Sequence, residues 1–498
     1  MRVALLLFVS SVASAAPRYT KPLCPDHSCG THVVTDPDGI PIHSATTPMG
    51  FGAPEIQAMY NIDPSLGDGV SVAVVDAYGY QDIESDLATY RTQYGLPPCT
   101  IASGCLTIYN NNGETAPLLG DSDQGWIGET ALDIQMASAA CPKCKLVVVQ
   151  ANSNGQGLRL AQSVARSLPV DVISNSFSGG EDPGVVGEES EYTPPGIGEF
   201  ASTGDNGFAG GAGYPATSAS VIAVGGTSFD GTTNTAWTGA GSACSKFIAK
   251  PSWAPADWTC TMRAGADVSA IADPQTGVAI YVKKQGGWQQ VGGTSASSPL
   301  LAAMFAAAGH ADARPSFVYA HRDAFQDVVG GSTGTCGTAL CNAQAGWDGP
   351  TGVGIPLQNK LVAIGNVPGA GPAVQITFPT DGGTVKKAFS IQVAPDPAAV
   401  WVDIQIDGQR VERLDADPWT TSAPSALADG KHTITAIAYD GDHNSQTQVI
   451  AVTLGASSSS DGGGGCSTTR GADLGLVGIV LAFGLRRRRA TRATAARG

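Results

Sequence analysis

Three short segments constrain this chain more than any other feature: Val70-Ser-Val-Ala-Val-Val75, Leu146-Val-Val-Val149 and Val170-Asp-Val-Ile173. A strand with one wet face alternates apolar and polar residues. A strand covered on both faces reads as an almost unbroken apolar run, as these do. Helical stretches, Ile83 to Tyr94 and Leu158 to Ser167 among them, fall between such runs. Short buried strands alternating with helices predict an α/β domain, a mostly parallel sheet flanked by helices, over residues 48–366.

The pattern changes after a Pro/Gly-rich turn at Asn366 to Pro372. Beyond it the apolar period is two: Val374/Ile376/Phe378, then Val400/Val402/Ile404/Ile406, then Ile434/Ala436 between Thr433 and Thr435. Turn dipeptides stand at Asp381-Gly382, Asp407-Gly408 and Asp429-Gly430. Residues 372–455 therefore predict a small β-sandwich. It resembles bacterial Ig-like modules and shows no residues arranged for chemistry.

The ends of the 498-residue chain bear on where it works. Residues 1–15 combine Arg2, an apolar run from Ala4 to Val9 and Ala13-Ser14-Ala15, the layout of a secretory signal. A short N-terminal extension, 16–47, follows. In an exported chain the local couples Cys24/Cys29, Cys99/Cys105, Cys141/Cys144, Cys244/Cys260 and Cys336/Cys341 read as disulfides. Cys466 is left over. It closes a Ser/Gly linker, 456–466, and precedes an apolar run and Arg486 to Arg489 in the tail 467–498. That order resembles the bacterial sorting signals called MYXO-CTERM, which implies a secreted or cell-surface protein and contact with the cell envelope before processing. The formal net charge of −15 and a charged fraction of 14% leave no basic face, so nucleic acid is excluded as a partner.

The motif that carries chemistry is Gly292-Gly293-Thr294-Ser295-Ala296-Ser297-Ser298-Pro299, ahead of the apolar stretch Leu300 to Ala308. It places Ser295 in the first turn of a buried helix, where free N–H groups and the helix dipole favour developing negative charge. Pro299 is expected within that same turn. A serine nucleophile needs a base, yet no histidine lies between residues 44 and 309. The chain order Asp…His…Ser is therefore excluded, and Asp76, at the end of an apolar run, has no histidine to orient. Carboxylates must move the proton. Glu129 and Asp133 are spaced i, i+4 and share a helix face, while Asp205 stands in a glycine-framed loop, Ser202-Thr203-Gly204-Asp205-Asn206-Gly207.

These three segments, in this order, resemble the sedolisins, serine-carboxyl peptidases with a subtilisin-like fold. The likeness extends through Tyr214-Pro-Ala, Ala223 to Thr227 and Asp267 to Asp273 and covers about residues 48–360. It implies Ser295 as nucleophile, Glu129 as general base, Asp133 as the residue orienting it, and Asp205 in the oxyanion hole. A further likeness, Asp327-Val328 followed by Gly346-Trp347-Asp348, implies one structural Ca²⁺ bound by the Asp327 and Asp348 side chains. Backbone carbonyls of Val328, Gln344 and Gly346 would complete the site.

The expectation is a serine-type endopeptidase acting on proteins or peptides, favoured in acid because a carboxyl group can stabilise an oxyanion only while protonated. A tripeptidyl exopeptidase of the same family and an inactive surface adhesin are the alternatives. The resemblance also implies a large N-terminal pro-domain, and 16–47 is too short to be one.

Overall fold

The computed structural model describes residues 19–25, 29–194, 196–364, 371–414, 417–440 and 445–455. The expected signal, linker, Cys466 and sorting tail lie outside the described residues. The three apolar runs are the middle of a central sheet. Its strands are β1 (Ser71–Ala77), β2 (Leu106–Tyr109), β3 (Lys145–Ala151), β4 (Val172–Asn175), β5 (Gly198–Ser202), β6 (Ile222–Phe229) and β7 (Val268–Ile271). They pair in parallel in the order β2-β3-β1-β4-β5-β6, with β7 also on β6 and a short antiparallel strand, Asn234–Ala236, beside it. Val72 faces Leu146 on one side and Val172 on the other. All seven residues of β1 are buried, as an apolar run covered on both faces requires.

Two helices are buried along nearly their whole length: α1 (Gln124–Ala140) and α2 (Thr294–Ala307). Neither has a solvent-facing side, which fits helices enclosed by protein rather than resting on a surface. The first expected flanking helix is present as Ile83–Gln93, and the second as Gln156–Ala165, shifted two residues toward the N-terminus. All five expected cysteine couples are disulfides.

The described residues of the extension, 19–25 and 29–47, are built into the fold. Tyr19–Pro22 pairs with His32–Thr35, and Val33 pairs with Val291 of the strand Gly287–Gly292, which runs straight into the serine motif. The C-terminal residues form the expected sandwich, with sheets of three and five strands. Ile376, Val402, Ile404, Ile434 and Ala436 fill its core. Phe378 departs from the period-two expectation and is exposed, because the register shifts after Ile376 and the residues beyond change faces. The sandwich touches the α/β domain through Arg410, whose Nη1 lies 2.6 Å from Asp171 Oδ1. The other oxygen of Asp171 accepts the Ser71 N–H at 2.8 Å, at the start of β1. A cleft of about 640 Å³ follows this seam, and neither Ser295 nor Glu129, Asp133 or Asp205 lines it.

Candidate active site

In a parallel sheet the strand carboxyl ends share one rim, and sites collect there. Here that rim carries Asp76 near the end of β1, Ser176 just past β4, and Asp205 on the loop after β5. α1 brings Glu129 and Asp133, both completely buried. Their shared helix face is enclosed by protein rather than solvated. Asp123 caps α1 by accepting the Trp126 N–H at 3.0 Å, fixing the turn that ends at Glu129.

Ser295 is the second residue of α2 and is fully buried. Gly293 before it has φ of +128°, a region closed to residues with a Cβ, and a Cβ there would also strike the Gly30 carbonyl oxygen. Pro299 lies inside the helix, one turn deeper than expected. Lacking an N–H, it leaves the Ser295 carbonyl without its i+4 donor. Ser176 Oγ donates to that carbonyl at 3.4 Å, and Ser295 Oγ donates to the Ser176 carbonyl at 3.3 Å.

The carboxylates form a buried cluster with few donors. Both oxygens of Asp76 and of Asp133, and Glu129 Oε1, have no hydrogen-bond partner. Burial pushes Glu129 up to about 8; the Ser295 and Thr31 hydroxyls pull it down, and the Asp76 and Asp205 charges push it up. Burial is again the main cause for Asp133, raised well above the ordinary range with help from Asp76 and Glu129, and for Asp76, raised to about 7. Such groups titrate as a cluster and share protons. Asp205 is raised to about 7 by burial, against hydrogen bonds to its Oδ1 from the Thr294 N–H and hydroxyl, each at 2.8 Å. Its Oδ2 has no hydrogen-bond partner and is aimed at Gly30 and Gly293. A cavity of about 210 Å³ adjoins it, with Ser178, Gly179, Thr203 and Gly241 in its wall.

The four residues expected to act are thus gathered at one place, and the structure adds four the sequence reading missed. Asp76, set aside for want of a histidine, belongs to the carboxylate cluster. Ser176 follows an apolar strand, and that position was the available signal. Thr31, fully buried, donates to Glu129 Oε2 at 2.6 Å. His32 stands with Nε2 3.8 Å from Asp205 Oδ2, so a histidine does reach the site, from upstream of the gap. No sequence signal marked these last two beyond the neighbouring cysteine couple. In the second expected site, Asp348 Oδ2 accepts the Gln344 N–H at 3.0 Å and Asp327 Oδ2 accepts the Gly346 N–H at 2.8 Å, so both carboxylates converge on one loop.

This architecture is the subtilisin-like α/β fold with an added β-rich C-terminal region. The Subtilase family profile matches residues 104–346. Kumamolisin from a Bacillus species is 26% identical over 362 residues, 64% of this chain and 64% of its own length. Tripeptidyl-peptidase sed1 from Aspergillus fumigatus is 38% identical over 111 residues, 20% of this chain and 16% of its own. The solved structure of Pseudomonas sedolisin, a serine-carboxyl proteinase complexed with two molecules of pseudo-iodotyrostatin, superposes with a TM-score of 0.55 at 25% identity. That alignment covers 64% of this chain and 98% of the sedolisin chain. Together these likenesses support the sedolisin family of serine peptidases. The chain spans just under two-thirds of kumamolisin's length and less of sed1's.

Proposed function

We propose that the chain is an exported serine-type endopeptidase that cleaves peptide bonds through an acyl-Ser295 intermediate. The observation that carries this reading is a fully buried Ser295, at a helix start, gathered with the fully buried Glu129 and Asp133 and with Asp205, whose Oδ1 accepts from the Thr294 N–H beside it. Ser295 Oγ attacks the scissile carbonyl carbon and its proton passes to Glu129. Asp133 and Asp76 hold the cluster's charge and orient the base. Protonated Asp205 donates a hydrogen bond to the tetrahedral oxyanion. Collapse breaks the C–N bond as Glu129 returns the proton to the leaving amine, and water then cleaves the acyl-enzyme by the same route.

Asp205 must be protonated while the cluster retains a negative charge, so activity is bell-shaped in pH, its limbs set by Asp205 and by the protons the cluster shares. The two converging carboxylates, Asp327 and Asp348, with the carbonyls of Val328, Gln344 and Gly346, suit one Ca²⁺, which would fix the loop and take no part in the chemistry. A short local likeness to a tripeptidyl peptidase keeps an exopeptidase as the second reading. The N-terminal signal and C-terminal tail support secretion or surface attachment. The test is hydrolysis of unfolded casein between about pH 3 and about pH 8, with products read by mass spectrometry. Ser295→Ala and Glu129→Gln should both abolish it. Internal cuts indicate an endopeptidase, and tripeptides an exopeptidase. Cleavage surviving Glu129→Gln would refute the assigned base.

A further inference from the structure

We propose that residues 29–32, part of the N-terminal extension, are a built-in occupant of the catalytic centre that holds the enzyme inactive until they are displaced. This rests on the reading of Ser295 as nucleophile and Glu129 as base. The contacts fall on the reacting groups themselves. A Cβ on Gly30 would sit 2.6 Å from Ser295 Oγ and 3.6 Å from Asp205 Oδ2, so the Gly30 backbone fills the space where a scissile carbonyl must approach. The Thr31 hydroxyl donates to Glu129 at 2.6 Å and occupies an oxygen of the base. Beyond it, His32 pairs with Gly292 and Val33 with Val291, so the segment lies as a strand beside the one that delivers Ser295.

The seat is shaped for this segment. α1 carries two glycines near its start, each costing about 1 kcal/mol relative to alanine in a helix interior. Both face the strap. A Cβ at Gly125 would meet the Leu23 carbonyl oxygen at 2.6 Å and Cys24 Sγ at 2.8 Å, and one at Gly128 would meet Leu23 Cδ1 at 2.5 Å. Leu23 is tied back to the occupying residues by its N–H, which donates to the Thr31 carbonyl at 2.8 Å, and the Cys24–Cys29 disulfide closes the same loop. The strap thus sits at the catalytic centre itself.

The test compares the full chain with Thr31→Ala and Gly125→Ala. The first frees the base and the second drives Leu23 off the helix; neither residue belongs to the proposed catalytic set. Two quantities are read: kcat/KM on a short peptide, and affinity for a peptide aldehyde, whose carbonyl carbon bonds to Ser295 Oγ while the hydroxyl proton moves to the aldehyde oxygen. Losing a hydrogen bond to a charged group should raise both by roughly ten- to a hundredfold. A synthetic, oxidised peptide of residues 19–35 should then inhibit Thr31→Ala competitively, since its seat on the helix is intact, and the same peptide with Thr31→Ala should inhibit it far less. Unchanged or reduced aldehyde affinity in both variants, with the melting temperature intact, overturns the proposal and makes the segment a structural part of the site. If no variant hydrolyses peptides but aldehyde affinity rises as expected, the peptidase reading fails and the strap stands.

Discussion

Ser176 and Ser295 hydrogen-bond to each other twice, hydroxyl to carbonyl in both directions, at 3.3 and 3.4 Å. The exchange is needed because Pro299 cannot donate to the Ser295 carbonyl. Ser176→Ala should leave that buried carbonyl unpaired and lower stability by about 1–2 kcal/mol, together with a loss in kcat as Ser295 loses its fixed position. Adding Pro299→Ala supplies the missing N–H. Thermal unfolding of the single and double variants should show the second change recovering part of the loss of the first.

Asp205 sets the alkaline side of the pH profile. Raised to about 7 by burial, it is protonated and able to donate below that value and loses this ability as pH rises through it. Asp205→Asn donates at every pH. Its kcat/KM profile should lose the fall near pH 7, whatever its absolute rate; an unmoved limb would assign that limb to another group.

Stability should also fall as pH rises. Asp76 and Asp205 are raised to about 7, and Glu129 and Glu199 to about 8, each mainly by burial. A carboxyl whose folded value exceeds its unfolded value of about 4 binds its proton more tightly in the native state. Its contribution is complete below about pH 4 and is lost as pH rises through the folded value. Melting temperature measured on the inactive Ser295→Ala chain should therefore decline between about pH 5 and about pH 8. Asp133→Asn, which removes one member of the cluster, should flatten the decline.

Calcium should act on the fold alone. A chelator should lower the melting temperature of the full chain, and added Ca²⁺ should restore it. In Asp327→Ala the chelator should have no effect, whereas a chelator effect that persisted would move the ion elsewhere.

The sequence made the frame of this protein legible because both-faces-buried strands and an apolar period of two are local patterns. The same holds for Glu129 and Asp133, whose spacing puts them on one face of a helix, and for Ser295, announced by glycines and an apolar run. Asp76 was visible but discarded, since its partners are carboxylates from another element rather than a histidine. Thr31 could not be read at all: its contact with Glu129 joins residues 98 apart in sequence and depends on how the extension pairs with the strand before Ser295. Pro299 was placed in the first turn by propensity, and the Ser176 hydroxyl, from a distant strand end, is what lets it sit deeper.

The ion pair between Arg410 and Asp171 has a mechanical consequence. It grips the sheet where β1 and β4 begin, whereas Asp76 and Ser176 stand where those strands finish. Seven extended residues span about 20 Å, so the sandwich holds the domain by the rim opposite the chemistry. The working face is therefore turned away from the sandwich, which leaves the two ends of the sheet free to serve different purposes. The module is in effect a handle, and could be exchanged for another without the blade being recut.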